Sequence, residues 1–143
     1  MFSNIYGNKD YFFELEQLSQ KQQFTLMREC NNYLCYYIFN LIYNEIRNVD
    51  NLKNDFYKSY FIYDNKKVAI VSTNEFRYIL QFNTQSIRRA LQRLQEKGYI
   101  EFIELDYGND IDEEFDAMQI YGSNKYGYAI TDKGYQLINN VEV

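Results

Sequence analysis

Ile87, Ala90, Leu91 and Leu94 recur at i, i+3, i+4 and i+7, which lays one apolar stripe along a helix of about three turns. Gln85, Arg88, Arg89, Gln92 and Arg93 fall on the opposite side, and such side chains reach phosphates and base edges. Gly98 stands where a left-handed cap ends a helix, and Tyr99–Ile103 then alternates as a strand. Just upstream, Phe76, Ile79 and Leu80 mark the inward face of a shorter helix over Thr73–Gln81, with Ser72 or Thr73 as its cap. The turn that follows has no Gly, but the change of pattern marks a break, and Asn83 or Thr84 opens the second helix. A second helix that packs by one face and offers Gln and Arg on the other suits insertion into a DNA groove.

The N-terminal half is patterned differently. Phe12, Phe13, Leu15 and Leu18 predict a short helix over Asp10–Leu18, and a longer one is expected from Ser19 to Arg47. Within it Leu34, Ile38, Leu41 and Ile42 form one apolar face, and Tyr36, Phe39, Tyr43 and Ile46 form another. Asn40, Asn44 and Arg47 leave only a narrow polar strip between them, so the helix is expected to be buried on more than one side. A second copy of the chain would supply that second cover, making Tyr36, Phe39, Tyr43 and Ile46 the expected dimerisation residues. The other reading is a central helix wrapped by its own domain. Val49–Asp55 reads as a loop, and Phe56–Tyr63 and Lys67–Val71 flank Asp64-Asn65-Lys66 as a hairpin. Tyr99–Leu105 and Lys125–Ile130 are expected to pair as antiparallel strands across a long connection.

Two blocks of sequence resemble a known family. Asn83-Thr84-Gln85-Ser86-Ile87-Arg88-Arg89-Ala90-Leu91 and Leu94-Gln95-Glu96-Lys97-Gly98-Tyr99-Ile100 are similar to the second helix and first wing strand of winged helix-turn-helix domains. The run from Tyr128 to Ile138 is similar to their last wing strand and the helix after it. The kind in question is that of MarR-type regulators and of plasmid or phage partition and replication proteins. The resemblance implies an α+β, mainly helical fold: a winged helix-turn-helix with an N-terminal helical extension and a β-hairpin wing. One domain over 1–143 is expected, with 1–55 as the helical, dimerising part and 56–143 as the winged part with its C-terminal helix.

It also implies sequence-specific binding of double-stranded DNA by a homodimer, with half-sites in successive major grooves. Thr84, Gln85, Ser86 and Arg89 are then expected at base edges, and Arg88, Arg93 and Lys97 at the backbone. Gln92 lies on the same face, Asn83 caps the helix, and Lys125 at the base of the wing is a further DNA contact. Transcriptional regulation is the expected use; partition or replication of a plasmid or phage is the alternative.

Charge changes this picture at one place. The net charge is −5, yet Lys67–Ile103 holds six basic residues against three acidic ones. Glu104–Asp116 holds seven acidic residues and no basic one. A wing carrying Asp110, Asp112, Glu113 and Glu114 is repelled by phosphates; it reads first as a solvated acidic loop and second as a docking site for a basic protein partner. That leaves open a different class of function, an acidic winged-helix interaction module such as a phage-encoded inhibitor.

Composition removes other classes. There is no histidine, and the six glycines are scattered rather than gathered into a phosphate loop, so an enzyme is not expected. Cys30 and Cys35, five apart in a single expected helix, would point to different faces as buried free thiols of a cytoplasmic protein. Two thiols make no structural zinc site, and the acidic spacing matches no calcium loop, so neither metal nor cofactor is expected. No apolar run is long enough for a membrane span. Aromatics reach 19%, with 16 Tyr and 11 Phe. Tyr33, Tyr36, Tyr37, Phe39 and Tyr43 suit either core packing or the lining of an effector pocket.

Overall fold

Asn31 interrupts what the apolar pattern reads as one long helix. In the computed structural model, which describes residues 15–53, 61–105 and 126–139, helix α1 (Gln20–Cys30) stops at Asn31. Asn31 takes a left-handed conformation (φ 49°), and its N–H reaches back to the carbonyls of Arg28 and Met27. Asparagine adopts that conformation more readily than most residues, and this explains the break. The Asn32 Oδ1 then accepts the Leu34 N–H at 2.9 Å, and helix α2 runs from Leu34 to Asp50. The helix expected over Ser19–Arg47 is thus two helices. Ser19 and Gln22 close the start of α1 as a reciprocal capping box. Of the short helix expected over 10–18, residues 10–14, with Phe12 and Phe13, lie outside the described residues. Leu15–Leu18 is not helical, though Leu18 is buried.

α2 is the centre of the core. Leu34, Ile38, Leu41 and Ile42 are buried, and so are Tyr36, Phe39 and Ile46 on the second face. The covers are α1, α4 and β4 of the same chain, the latter two defined below. The face expected to dimerise is therefore turned to the chain's own interior, and of the four named residues only Tyr43 is partly exposed. Val49 is buried too and extends the helix past Arg47, so Val49 and Asp50 are helical rather than loop. Of the expected polar strip, Asn40 and Asn44 are also inside, and Arg47 stays partly exposed. Asn44 Nδ2 donates to the carbonyls of Glu16 (3.0 Å) and Asn40 (2.8 Å), and Arg47 pairs with the Glu16 carboxylate. These bonds tie the segment before α1 onto α2. The side-chain amide of Asn40 is fully buried and finds no hydrogen-bond partner among the described residues.

Two small antiparallel hairpins complete an α+β, mainly helical architecture. In the first, β1 (Ile62–Tyr63) pairs with β2 (Lys66–Lys67) across Asp64 and Asn65. Both turn residues have positive φ (53° and 62°), the signature of a type I′ turn. The hairpin is as expected but its turn is two residues, and 56–60 lie outside the described residues. Helices α3 (Thr73–Leu80) and α4 (Thr84–Glu96) follow, then β3 (Ile100–Glu104), β4 (Tyr126–Ile130) and α5 (Asp132–Ile138). β3 and β4 pair from Ile100↔Ile130 to Glu104↔Tyr126. On the other edge of β4, Tyr128 exchanges both backbone hydrogen bonds with Ala69 (2.8 and 3.0 Å).

Close approach explains two glycines. A Cβ at Gly127 would lie 2.4 Å from Val68 Cγ1 and 2.7 Å from the Ala69 carbonyl, so the 68–70 segment reaches β4 only because none is there. A Cβ at Gly134 would lie 2.5 Å from the Tyr99 carbonyl, so α5 docks against the start of β3 on a bare backbone. Thr131 caps that helix by accepting the Gly134 N–H at 3.1 Å.

Two buried polar groups yield predictions. Burial pushes the Glu45 carboxyl from 4.5 up to about 7, with Glu75 adding like-charge repulsion. Folding therefore takes up a proton between those values. The contribution is fully present below about pH 4.5 and lost as pH rises through about 7. Wild type should lose roughly 3 kcal/mol of stability relative to Glu45→Gln between pH 4.5 and pH 8, read from urea unfolding at each pH. Equal pH profiles for the two proteins would refute it. Asn40→Leu should raise stability by roughly 1–2 kcal/mol at constant m-value, because an unbonded buried amide is replaced by an apolar group of similar shape.

Candidate nucleic-acid interface

Ser72 Oγ accepts the Glu75 N–H at 3.2 Å and starts α3, whose Phe76, Ile79 and Leu80 are buried as the pattern predicts. α3 ends at Gln81, which takes the left-handed conformation (φ 59°) that glycine would otherwise supply. Two residues later Asn83 Oδ1 accepts the Ser86 N–H at 2.8 Å and caps α4. Ile87, Ala90, Leu91 and Leu94 bury one face of α4 against α2 and α3. From Ala90, the backbone carbonyl accepts the Cys35 thiol at 3.5 Å.

The opposite face is open. Gln85, Arg88, Arg89, Gln92 and Arg93 are exposed, and Thr84 and Ser86 are partly so. Gln85, Arg89, Gln92 and Glu96 stand at i, i+4, i+7 and i+11 and form the central line of that face. Arg88 flanks the line on one side, and Ser86 and Arg93 flank it on the other. Gln92 Nε2 donates to Glu96 Oε1 at 3.1 Å. After Glu96 the chain leaves through Lys97 and Gly98, the latter at φ 78° as the sequence predicts.

Among the described residues the largest group of cations without an ion pair stands on and just after this helix; Arg28, Lys53 and Arg77 also lack one. Arg47, Lys66, Lys67 and Lys133 each pair with a carboxylate: Glu16, Glu101 (2.8 Å), Asp50 (2.7 Å) and Glu29 (3.6 Å) respectively. Lys133 also lies 4.4 Å from the centre of the Tyr99 ring. Among the described residues, Arg88, Arg89, Arg93 and Lys97 have no such partner. Their charges face solvent without a counter-ion among the described residues.

The other named site residues fall elsewhere. Asp110, Asp112, Glu113, Glu114 and Lys125 lie outside the described residues. Tyr36 and Phe39 belong to the core, and Tyr37 and Tyr43 pack partly against it. Tyr33 is 57% exposed, with its ring edge-on to Tyr37. Cys30 and Cys35 are free and buried, but the break at Asn31 lets their thiols interact: that interaction lowers the Cys30 pKa and, with burial, raises that of Cys35, while the Cys35 thiol donates to the Ala90 carbonyl. The expectation that they point to different faces fails because they do not share a helix.

One feature of the surface has no counterpart in the sequence pattern. Asn32, Tyr33 and Leu34, from the turn between α1 and α2, meet Phe82, Ser86 and Arg89 around a depression of about 110 Å³. A larger cleft of about 510 Å³ lies between the β1–β2 turn and the start of α5, lined by charges of both signs, including Lys66, Glu101 and Asp132. Among the described residues no group of three His, Cys, Asp or Glu side chains could hold a metal ion, and no helix is long and apolar enough to cross a membrane.

The cap makes α4 testable by itself. Asn83→Ala should cost about 1 kcal/mol in denaturant unfolding, and Asn83→Asp, which keeps the acceptor, should cost little. Comparison with known proteins adds no relative: no family model, no curated protein and no solved structure matches this chain.

Proposed function

We propose that the chain is a winged helix-turn-helix protein whose helix α4 reads double-stranded DNA, and that it acts as a homodimeric transcriptional regulator. The observation that carries this reading is the set of cations on and just after α4 that no carboxylate among the described residues pairs with, interleaved with glutamines on one exposed face. A helix whose face is merely solvated commonly balances adjacent arginines with acids a turn away. The order α3, turn, α4, β3, β4, with Ala69 on the free edge of β4, supports the fold assignment. Thr84, Gln85, Ser86 and Arg89 would meet base edges, and Arg88, Arg93 and Lys97 the backbone. Gln92 reaches the same groove once it releases Glu96. A second copy would have to dock on a surface other than Tyr36, Phe39 and Ile46. Partition or replication of a plasmid or phage would use the same helix.

A second reading has its own support in the seven acids of Glu104–Asp116. The chain would then act as an interaction module whose acidic connection occupies a basic groove on a protein partner, with no reading of DNA.

Selection of the purified protein on random duplex DNA, at two salt concentrations, should enrich an inverted repeat with half-sites about one helical turn apart. Arg88→Ala with Arg89→Ala should abolish that binding, a loss of roughly 1–3 kcal/mol for each base contact removed. Neutralising Asp112, Glu113 and Glu114 should leave DNA affinity unchanged or raise it. The opposite pattern, binding insensitive to the arginines and dependent on the acids, would transfer the function to the interaction module.

A further inference from the structure

We infer that Tyr33 and Asn32, in the turn between α1 and α2, bind one backbone phosphate of the DNA at the edge of the groove entered by α4. The inference rests on the DNA-reading proposal and extends the interface to a segment some fifty residues away in sequence.

The depression between that turn and α4 is built for an anion. Its polar side chains are Asn32, Tyr33, Ser86 and Arg89, and no carboxylate among the described residues lines it. Asn32 Oδ1 is already committed to the Leu34 N–H, so what Asn32 has left to offer is its Nδ2 donor pair. Tyr33 adds a hydroxyl donor, and Arg89, which reaches toward the bases from the rim, adds a positive potential that no ion pair among the described residues offsets. The larger cleft lacks this bias, since Glu101 and Asp132 line it beside the lysines.

Tyr33 is also held in place. At 57% exposure its ring still packs edge-on against Phe82 (centroids 6.0 Å apart) and Tyr37 (6.4 Å). An aromatic ring fixed by two neighbours and left open to solvent presents its hydroxyl with little rotational freedom to lose. Position along α4 supplies the last step. With Gln85, Arg89 and Gln92 on the central line, Ser86 lies at the margin of the base-reading face, and past that margin the wall of a groove is sugar and phosphate. The Asn32–Tyr33 turn stands directly beyond Ser86 and so meets that wall.

Two variants test this on the full-length protein with the duplex it selects. Tyr33→Phe removes only the hydroxyl and should weaken binding roughly tenfold, with an unchanged dependence on salt because no charge is lost. Asn32→Asp keeps the acceptor for Leu34 but puts a carboxylate into the depression, and it should weaken binding by more than Tyr33→Phe, the excess shrinking as salt rises. A scan with single methylphosphonate linkages identifies the contact. At one backbone position the substitution should weaken wild type and leave Tyr33→Phe no weaker than before. If Tyr33→Phe and Asn32→Asp, both folded by circular dichroism, bind as tightly as wild type, the phosphate contact is refuted while DNA reading stands. If wild type selects no duplex at either salt concentration, the DNA reading falls and this contact falls with it.

Discussion

The packing of α4 against α2 is the contact on which the described structure turns. Ile87, Ala90, Leu91 and Leu94 are all buried at that seam, and each buried Leu or Ile is worth roughly 1.5–3 kcal/mol relative to an exposed one. Because the stripe is one-sided, burying it also decides which side of α4 faces out. A rotation of the helix by one position would expose leucines and bury arginines, and burying an unpaired charge costs far more than the leucines gain. Ala90 contributes by being small, and its carbonyl receives the Cys35 thiol from α2. The outward row of Gln and Arg is therefore as firmly oriented as the core beneath it.

Legibility in the sequence followed from whether a pattern had one possible partner. The amphipathic helices α3 and α4 and the caps at Ser72, Asn83 and Gly98 were readable because local chemistry and one-sided burial agree there. α2 was harder. Its apolar residues on two faces say that both are covered but not by what, and the cover is α1, α4 and β4 rather than a second copy. The boundary at Asn31 was invisible to periodicity, which is insensitive to a break of three residues between two apolar helices. That miss concealed the meeting of Cys30 and Cys35 and the placement of Tyr33. The depression beside Ser86 joins residues 32–34, 82, 86 and 89, a set that no pattern along the chain can assemble.

Electrostatics point the same way as packing. The net charge of −5 describes the whole chain, but a surface acts through its unpaired charges. Arg47, Lys66, Lys67 and Lys133 serve internal links: Arg47 ties the entry segment to α2, Lys67 ties the first hairpin to the end of α2, and Lys66 and Lys133 reach β3 and α1. Exposed pairs of this kind add little stability, yet each neutralises a cation locally. Among the described residues, four of the seven cations left without an ion pair stand on or just after α4, where the proposed interface lies.

Within α4 the two ends are not equivalent. Its first turn carries no acidic residue and ends in backbone N–H groups, where the helix dipole is positive. The central line of its outer face begins with Gln85 and Arg89 but closes on Glu96, whose carboxylate is bound by Gln92. An anion approaching this face meets donors and positive charge over the first two turns and a carboxylate at the last. A helix lying flat along a DNA groove would bring Glu96 against the phosphates, whereas one entering by its N-terminus would keep it at the rim. The same tilt carries the turn before α4 and the Asn32–Tyr33 turn beside it toward one strand of the duplex. On the proposed function, entry angle, base reading and phosphate contact would all follow from a single asymmetry in charge along thirteen residues of helix.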